Sequence, residues 1–298
     1  MNYFSWDISL IALLPAVALC AFIYYKDKIE KEPIGLLLAL FLMGAELFFP
    51  TLWAERLILG GIDGIFAASI SHTVDGSVVY SSAFTMVMHK LLSAFFGAAL
   101  VEVVFKWLLL FLATTKNKNF NYLFDGVVYS VFVSLGFAAA ENVRFALVNG
   151  WDTFVLHSLS SVPCHLIVGV AMGYFYTIWN AYRKANLIEE KCIALGEVKE
   201  NTIRRPIGRL FMSLAVPFVI SGFYLFAGTL DSPLISTLFY FAIFAMYGFS
   251  FITVDRISAK DKKQNKFSKM LLCQKHPEID PSVWDKELGT SDEGEVTK

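Results

Sequence analysis

Residues 126–148 read Gly-Val-Val-Tyr-Ser-Val-Phe-Val-Ser-Leu-Gly-Phe-Ala-Ala-Ala-Glu-Asn-Val-Arg-Phe-Ala-Leu-Val. Only Glu141 and Arg144 carry charge in that run. About twenty such residues, wound as a helix, cross roughly 30 Å of hydrocarbon. Lipid offers the backbone no hydrogen-bond partners, so a single crossing segment must be helical. Gly126, Gly136, Ala138, Ala139 and Ala140 keep this helix slim, which favours close packing against neighbours.

Six further apolar runs flank it, at 8–25, 34–53, 91–114, 154–181, 210–228 and 234–254. The run at 154–181 is long and contains Pro163, where a tilt or kink is expected. The fold class is therefore all-α, a polytopic membrane helix bundle with about seven transmembrane helices. The bundle is expected over 1–257. Within it, 54–90 is the longest connection on the outer side, broken by Gly60, Gly61, Gly64 and Gly76, with room for a short interfacial helix. Residues 182–209 form a charged cytoplasmic linker, helical in part. Residues 258–298 are polar, and composition predicts a disordered cytoplasmic tail.

Composition agrees. Of 298 residues, 56% are hydrophobic and 17% charged, against roughly a quarter charged in soluble domains. The formal net charge of -1 excludes nucleic acid as an expected partner. Cys20, Cys164, Cys192 and Cys273 show no C-x-x-C spacing and are expected as free thiols. Met1–Asp7 lacks Lys and Arg, so the first run is expected to stay as a membrane anchor.

Basic residues set the orientation. Lys26, Lys28 and Lys31 follow the first span. Lys116 and Lys118 follow the third. Seven basic residues from Arg183 to Arg209 follow the fifth, and a group from Arg256 to Lys269 follows the seventh. The positive-inside rule then puts the N-terminus outside and the C-terminus in the cytoplasm.

Ionisable residues inside spans are costly and point to function. At 1.5 Å per residue, Glu102 lies about 16 Å from the outer end of its span, Glu141 about 12 Å and His165 about 18 Å. Two carboxylates and an imidazole thus share a layer. They could hold a water, with one carboxylate as general base, or bind a metal. Glu102 and Lys106 are spaced i,i+4 and can pair. Phe137 has the same spacing from Glu141 and would desolvate it. Asn142 could donate a hydrogen bond to a substrate or a neighbouring helix. The plainer readings are an intrahelical pair for Glu102 and Lys106, snorkelling for Arg144 and interfacial packing for His157. Glu46 has no evident partner.

Phe124-Asp125-Gly126-Val127-Val128-Tyr129 followed by Gly136-Phe137-Ala138-Ala139-Ala140-Glu141-Asn142 resembles the PrsW family of intramembrane proteases. Its helix carries an FxxxE motif. The preceding family motif, EExxK, is matched by Glu102-Val103-Val104-Phe105-Lys106. A histidine with a small residue four on is matched by His165 and Gly169, and Lys31-Glu32-Pro33 resembles the family's turn into span two. The family is related to the type 2 CAAX prenyl endopeptidases and their bacterial relatives. The resemblance implies a protease in which Glu102 activates a water and Glu141 and His165 complete the site. It implies a membrane-anchored protein substrate such as an anti-sigma factor, within the lipid bilayer. Zinc held by Glu102, Glu141 and His165 and a metal-free glutamate mechanism stay equally open.

Two positions depart from the pattern. Val103 replaces the second glutamate, and Ser221-Gly222-Phe223-Tyr224-Leu225 stands where the family has His-Gly-x-Tyr-Asp. Ser221 keeps a weak donor there. Two alternatives accompany the protease reading: an inactive scaffold that binds transmembrane segments, and a transporter.

Overall fold

The computed structural model describes residues 6–72, 78–149, 151–230 and 233–289. Seven helical stretches among them are long and apolar enough to cross a membrane. They run as α1 (Trp6–Lys26), α2 (Ile34–Phe66), α3 (Ala83–Leu92) continuing into α4 (Leu100–Thr115), α5 (Asp125–Asn149), α6 (Trp151–Ala194), α7 (Ile207–Gly228) and α8 (Pro233–Ala259). The chain is an integral membrane helix bundle.

The helix α5 is the axis of the bundle. Nearly every residue from Asp125 to Ala139 is buried, against α1, α2 and α6 above all. An apolar helix buried on all sides needs no amphipathic stripe. Glycine makes the closest approaches possible. A Cβ on Gly136 would lie 2.0 Å from the Phe41 carbonyl oxygen, and one on Gly44 would lie 2.2 Å from that of Val133.

The stretch 54–90, expected as a loop, is mostly helical. The helix α2 runs three turns past Trp53, because Gly60, Gly61 and Gly64 cost it only about 1 kcal/mol each and Leu59 and Ile62 pack toward Gly97. A short antiparallel hairpin comes next, β1 (Ile70–His72) with β2 (Val78–Tyr80), pairing Ile70 with Tyr80. Gly76 lies outside the described residues.

Between α3 and α4 the chain winds through a π turn, Ser93–Ala99, with the Leu100 amide donating to the Phe95 carbonyl. One extra residue in a turn rotates the helix beyond it by about 100°. Such turns often sit beside functional residues. Glu102 begins three residues later.

Helix α6 runs unbroken through Pro163 for 44 residues. That is about 66 Å, twice a bilayer's hydrocarbon thickness. Its second half projects beyond the bundle at the end where the basic groups collect, called here the basic end. Two helices dock on it, α9 (Gln264–Lys275) and α10 (Pro281–Leu288). The expectation of disorder from residue 258 is therefore not met as far as Leu288. Trp284, Leu272, Ala185 and Cys192 form a small separate core. Glu189 accepts hydrogen bonds from the amides of Thr202 and Ile203, at 2.8 and 2.9 Å, and pairs with His276 at 2.5 Å. Average composition hid a few well-placed apolar residues among many charges. Residues 290–298 lie outside the described residues.

Candidate active site

Four side chains from three helices form one continuous polar chain. Lys106 Nζ donates to Glu102 Oε2 at 2.8 Å and to His165 Nδ1 at 3.0 Å. His165 Nε2 lies 2.9 Å from Glu141 Oε2. Ser161, one turn before His165 on α6, donates to the same Glu141 oxygen at 2.9 Å. Glu102 and Lys106 come from α4, Glu141 from α5, and Ser161 and His165 from α6.

Each helix places its residue for a local reason. The π turn sets the phase that aims Glu102 and Lys106 inward, and the i,i+4 spacing stacks them on one face. Small residues bring α5 and α6 together, so Glu141 reaches His165. Ser134 Oγ on α5 fixes the α6 backbone by donating to the His165 carbonyl at 2.7 Å. Phe137 forms a wall: its ring centroid lies 3.9 Å from Lys106 Nζ and 5.6 Å from the His165 ring. A cation over an aromatic face is stabilised further when desolvated.

The hydrogen-bond roles fix the tautomer. A lysine ammonium has only donors, so His165 Nδ1 accepts. Nε2 then carries the proton and donates to the Glu141 carboxylate. His165 is oriented at both nitrogens. Lys106 and Glu102 are nearly inaccessible, whereas the Glu141 side chain keeps 23% of its surface exposed. Glu141 is the open edge of the site.

Other residues singled out in the sequence lie elsewhere. Asn142 is buried and approaches Ser158 Oγ at 3.4 Å, tying α5 to α6 outside the chain of four. Ser221 is buried next to Gly222, which packs against the Phe95 ring, and among the described residues no hydrogen bond links Ser221 to the site. Glu46 and Arg144 are exposed on the bundle surface. His157 stacks on Phe145 with centroids 3.9 Å apart. Val103 belongs to the main apolar core.

Two residues were missed, the uncharged Ser161, which nothing in its run marks out, and Glu55. Glu55 is half-buried on the extended part of α2, one turn from the buried Thr51. It lies within electrostatic range of Glu102, Glu141, Lys106 and Arg144. Reading 54–90 as a loop removed it from the span inventory. Its only available signal was its place in an unbroken helical run.

A structural zinc site needs about four, and a catalytic one about three, protein donors converging near 2 Å from one point. The donors here are arranged otherwise. One His165 nitrogen accepts from Lys106 and the other is protonated toward Glu141. The two carboxylates sit at opposite ends of the chain, with an ammonium between Glu102 and the imidazole. Among the described residues no three His, Cys, Asp or Glu side chains converge on a metal position. The arrangement does not fit a zinc ion.

Comparison with known proteins covers most of the chain. A family profile described as PrsW family intramembrane metalloprotease matches residues 32–251. Protease PrsW of Oceanobacillus iheyensis is 29% identical over 72% of this chain and 79% of its own length. Protease PrsW of Bacillus subtilis is 25% identical over 78% of this chain and 87% of its own length. That of Halalkalibacterium halodurans is 33% identical over 55% of this chain and 66% of its own. No solved structure matches the chain. The profile spans both the helices that carry the polar chain and the glycine contacts that hold them together, and the chain belongs to the PrsW family of intramembrane proteases.

Proposed function

We propose that the chain is an endopeptidase that hydrolyses a peptide bond of a membrane-anchored protein, such as an anti-sigma factor, with a water activated by Glu102 and without a metal. The unbroken hydrogen-bonded chain Glu102–Lys106–His165–Glu141 carries this reading. The family description says metalloprotease; the donor arrangement in this chain favours a cation built into the protein.

The step balances without a metal. A water enters at the Glu141 edge. Glu102 takes its proton as the oxygen adds to the peptide carbonyl carbon. The third N–H of the Lys106 ammonium, not engaged by Glu102 or His165, faces the oxyanion that forms. Glu102 then gives its proton to the leaving amine as the C–N bond breaks. General base catalysis contributes about 10²–10⁴-fold, and each oxyanion donor about 10²–10³-fold. Glu141 and Ser161 hold His165 in place.

Basic residues at one end favour a bacterial plasma membrane orientation with the N-terminus outside. The 182–209 linker and the α9–α10 module would then lie in the cytoplasm, and the site would face the outer half of the bilayer.

Purified protein in liposomes with a panel of single-pass substrates tests the reading. Wild type is expected to yield product, and Glu102→Gln, Glu141→Gln and His165→Ala to yield little. Equal product from all four ends the idea. The scaffold alternative draws on Ser221, which stands apart from the polar chain. It requires partner capture that survives Glu102→Gln, with no cleavage by wild type.

A further inference from the structure

An apolar cleft of about 420 Å³ lies between α6, α7 and α8. Its walls include Cys164, Val219, Phe223, Tyr224, Leu238 and Met246. Tyr224 and Leu238 sit roughly 6–8 Å from the helix ends opposite the basic end, so the cleft occupies that half of the bilayer.

Three links tie the cleft to the polar site. Cys164 directly precedes His165. Tyr224 Oη lies 3.2 Å from Ser160 Oγ, and the next residue, Ser161, donates to Glu141. Cys164 and Tyr224 both lie within electrostatic range of Glu102 and Glu141. The cleft therefore adjoins the polar site through Cys164 and the Tyr224–Ser160 contact.

The wall formed by α8 is held unevenly. Its half toward Ala259 is pinned by buried Ser250, Val254 and Ser258, by the Phe22–Phe251 ring contact at 4.7 Å, and by the Lys26–Asp255 ion pair. In the other half, among the described side chains, Ile243 is the buried one and Phe239 meets the Tyr224 ring with centroids 5.4 Å apart, while Leu238, Phe241 and Phe244 are exposed.

We propose that this cleft is where the apolar membrane-spanning segment of the protein substrate docks, and that the half of α8 nearest Pro233 swings aside to admit it. The proposal rests on the proteolytic reading above. Three turns of helix with side chains occupy about 1,500 Å³, so the cleft as it stands holds one face of such a segment. The uneven pinning of α8 supplies the missing room. A peptide bond at the end of the docked segment then meets Glu141 directly from the lipid side.

The test is site-specific photocrosslinking in liposomes that contain a panel of single-pass reporter proteins. A photoreactive residue replaces Ile220 or Leu238 in the Glu102→Gln background. Leu112, exposed on α4, is the control position. Adducts with reporter membrane segments are expected at 220 and 238, several-fold above 112. Lipid adducts alone, or equal labelling at 112, overturn the docking site. This readout needs no turnover, so a failure of the proteolytic reading shows up separately, as absent cleavage with adducts intact. In wild type, Ala242→Trp fills the cleft and is expected to lower kcat/KM for reporters roughly tenfold or more, with adduct yield at 220 falling in parallel. Unchanged values of both sink the proposal.

Discussion

Lys106 Nζ stands 3.0 Å from His165 Nδ1 and 2.8 Å from Glu102 Oε2, so a single ammonium joins the carboxylate of one helix to the imidazole of another. The contact decides which His165 nitrogen holds the proton. Lys106→Gln is expected to lower kcat by about 10²–10³-fold, the cost of one oxyanion donor. The same change should alter the ¹⁵N shift of His165 Nδ1. Retained activity with an unchanged imidazole spectrum would show that the ammonium is a bystander.

Metal removal should leave the enzyme working. Dialysis against a strong chelator is expected to change reporter cleavage by less than a factor of two. Elemental analysis of the active preparation should find well under one zinc per chain. Stoichiometric zinc whose loss abolishes cleavage would overturn the built-in cation.

The α2–α5 contact predicts a steep cost for one methyl group. A Cβ at Gly136 would sit 2.0 Å from the Phe41 carbonyl oxygen, a backbone atom that cannot swing aside. Gly136→Ala is expected to destabilise the bundle by about 1–3 kcal/mol. Gly35→Ala, which meets nothing within 4 Å, should be neutral or mildly stabilising. Unfolding midpoints in detergent measure both.

Glu32, in the turn between α1 and α2, makes stability depend on pH. Burial pushes its carboxyl up to about 7, against the 2.7 Å hydrogen bond from Tyr129 that favours the anion. The folded protein thus holds this proton more tightly than the unfolded chain does. The stability it contributes is complete below the ordinary carboxylate value and is lost as pH rises toward 7. Unfolding midpoints of wild type should fall across that window, and Glu32→Gln should flatten the fall. An equal slope in the variant would assign the effect to other groups.

Trp284 tests the module at the basic end. Its side chain is fully buried against the projecting half of α6. Trp284→Ala is expected to weaken the module by about 3–5 kcal/mol. Limited proteolysis should then cut between residues 260 and 289 much faster than in wild type, while the spans stay protected.

Much of this was legible in the sequence because lipid leaves the chain few options. Length and hydropathy fixed the seven spans. The i,i+4 spacing of Glu102 and Lys106 and helix-rise arithmetic for Glu141 and His165 placed charged groups in one layer. Rise gives depth but not azimuth, so the order of contacts was hidden: Lys106 sits between Glu102 and His165 rather than serving Glu102 alone. Glu55 was lost because glycines at 60, 61 and 64 read as breaks, although packing overrides their small cost. Asn142 shares α5 with Glu141 and Ser221 sits on the neighbouring α7, but both face other neighbours. The helices after Ser258 were hidden because a window average dilutes Leu272 and Trp284 among lysines and glutamates.

The π turn at Ser93–Ala99 carries a last consequence. Deleting any one residue there would leave a segment just as greasy and almost as long. It would still insert, and a hydropathy plot would hardly change. Yet Glu102 and Lys106 would rotate by about a quarter turn, away from His165 and toward the lipid. The length of this stretch is therefore as much a part of the site as its residue types, and a one-codon gap is expected to end the chemistry.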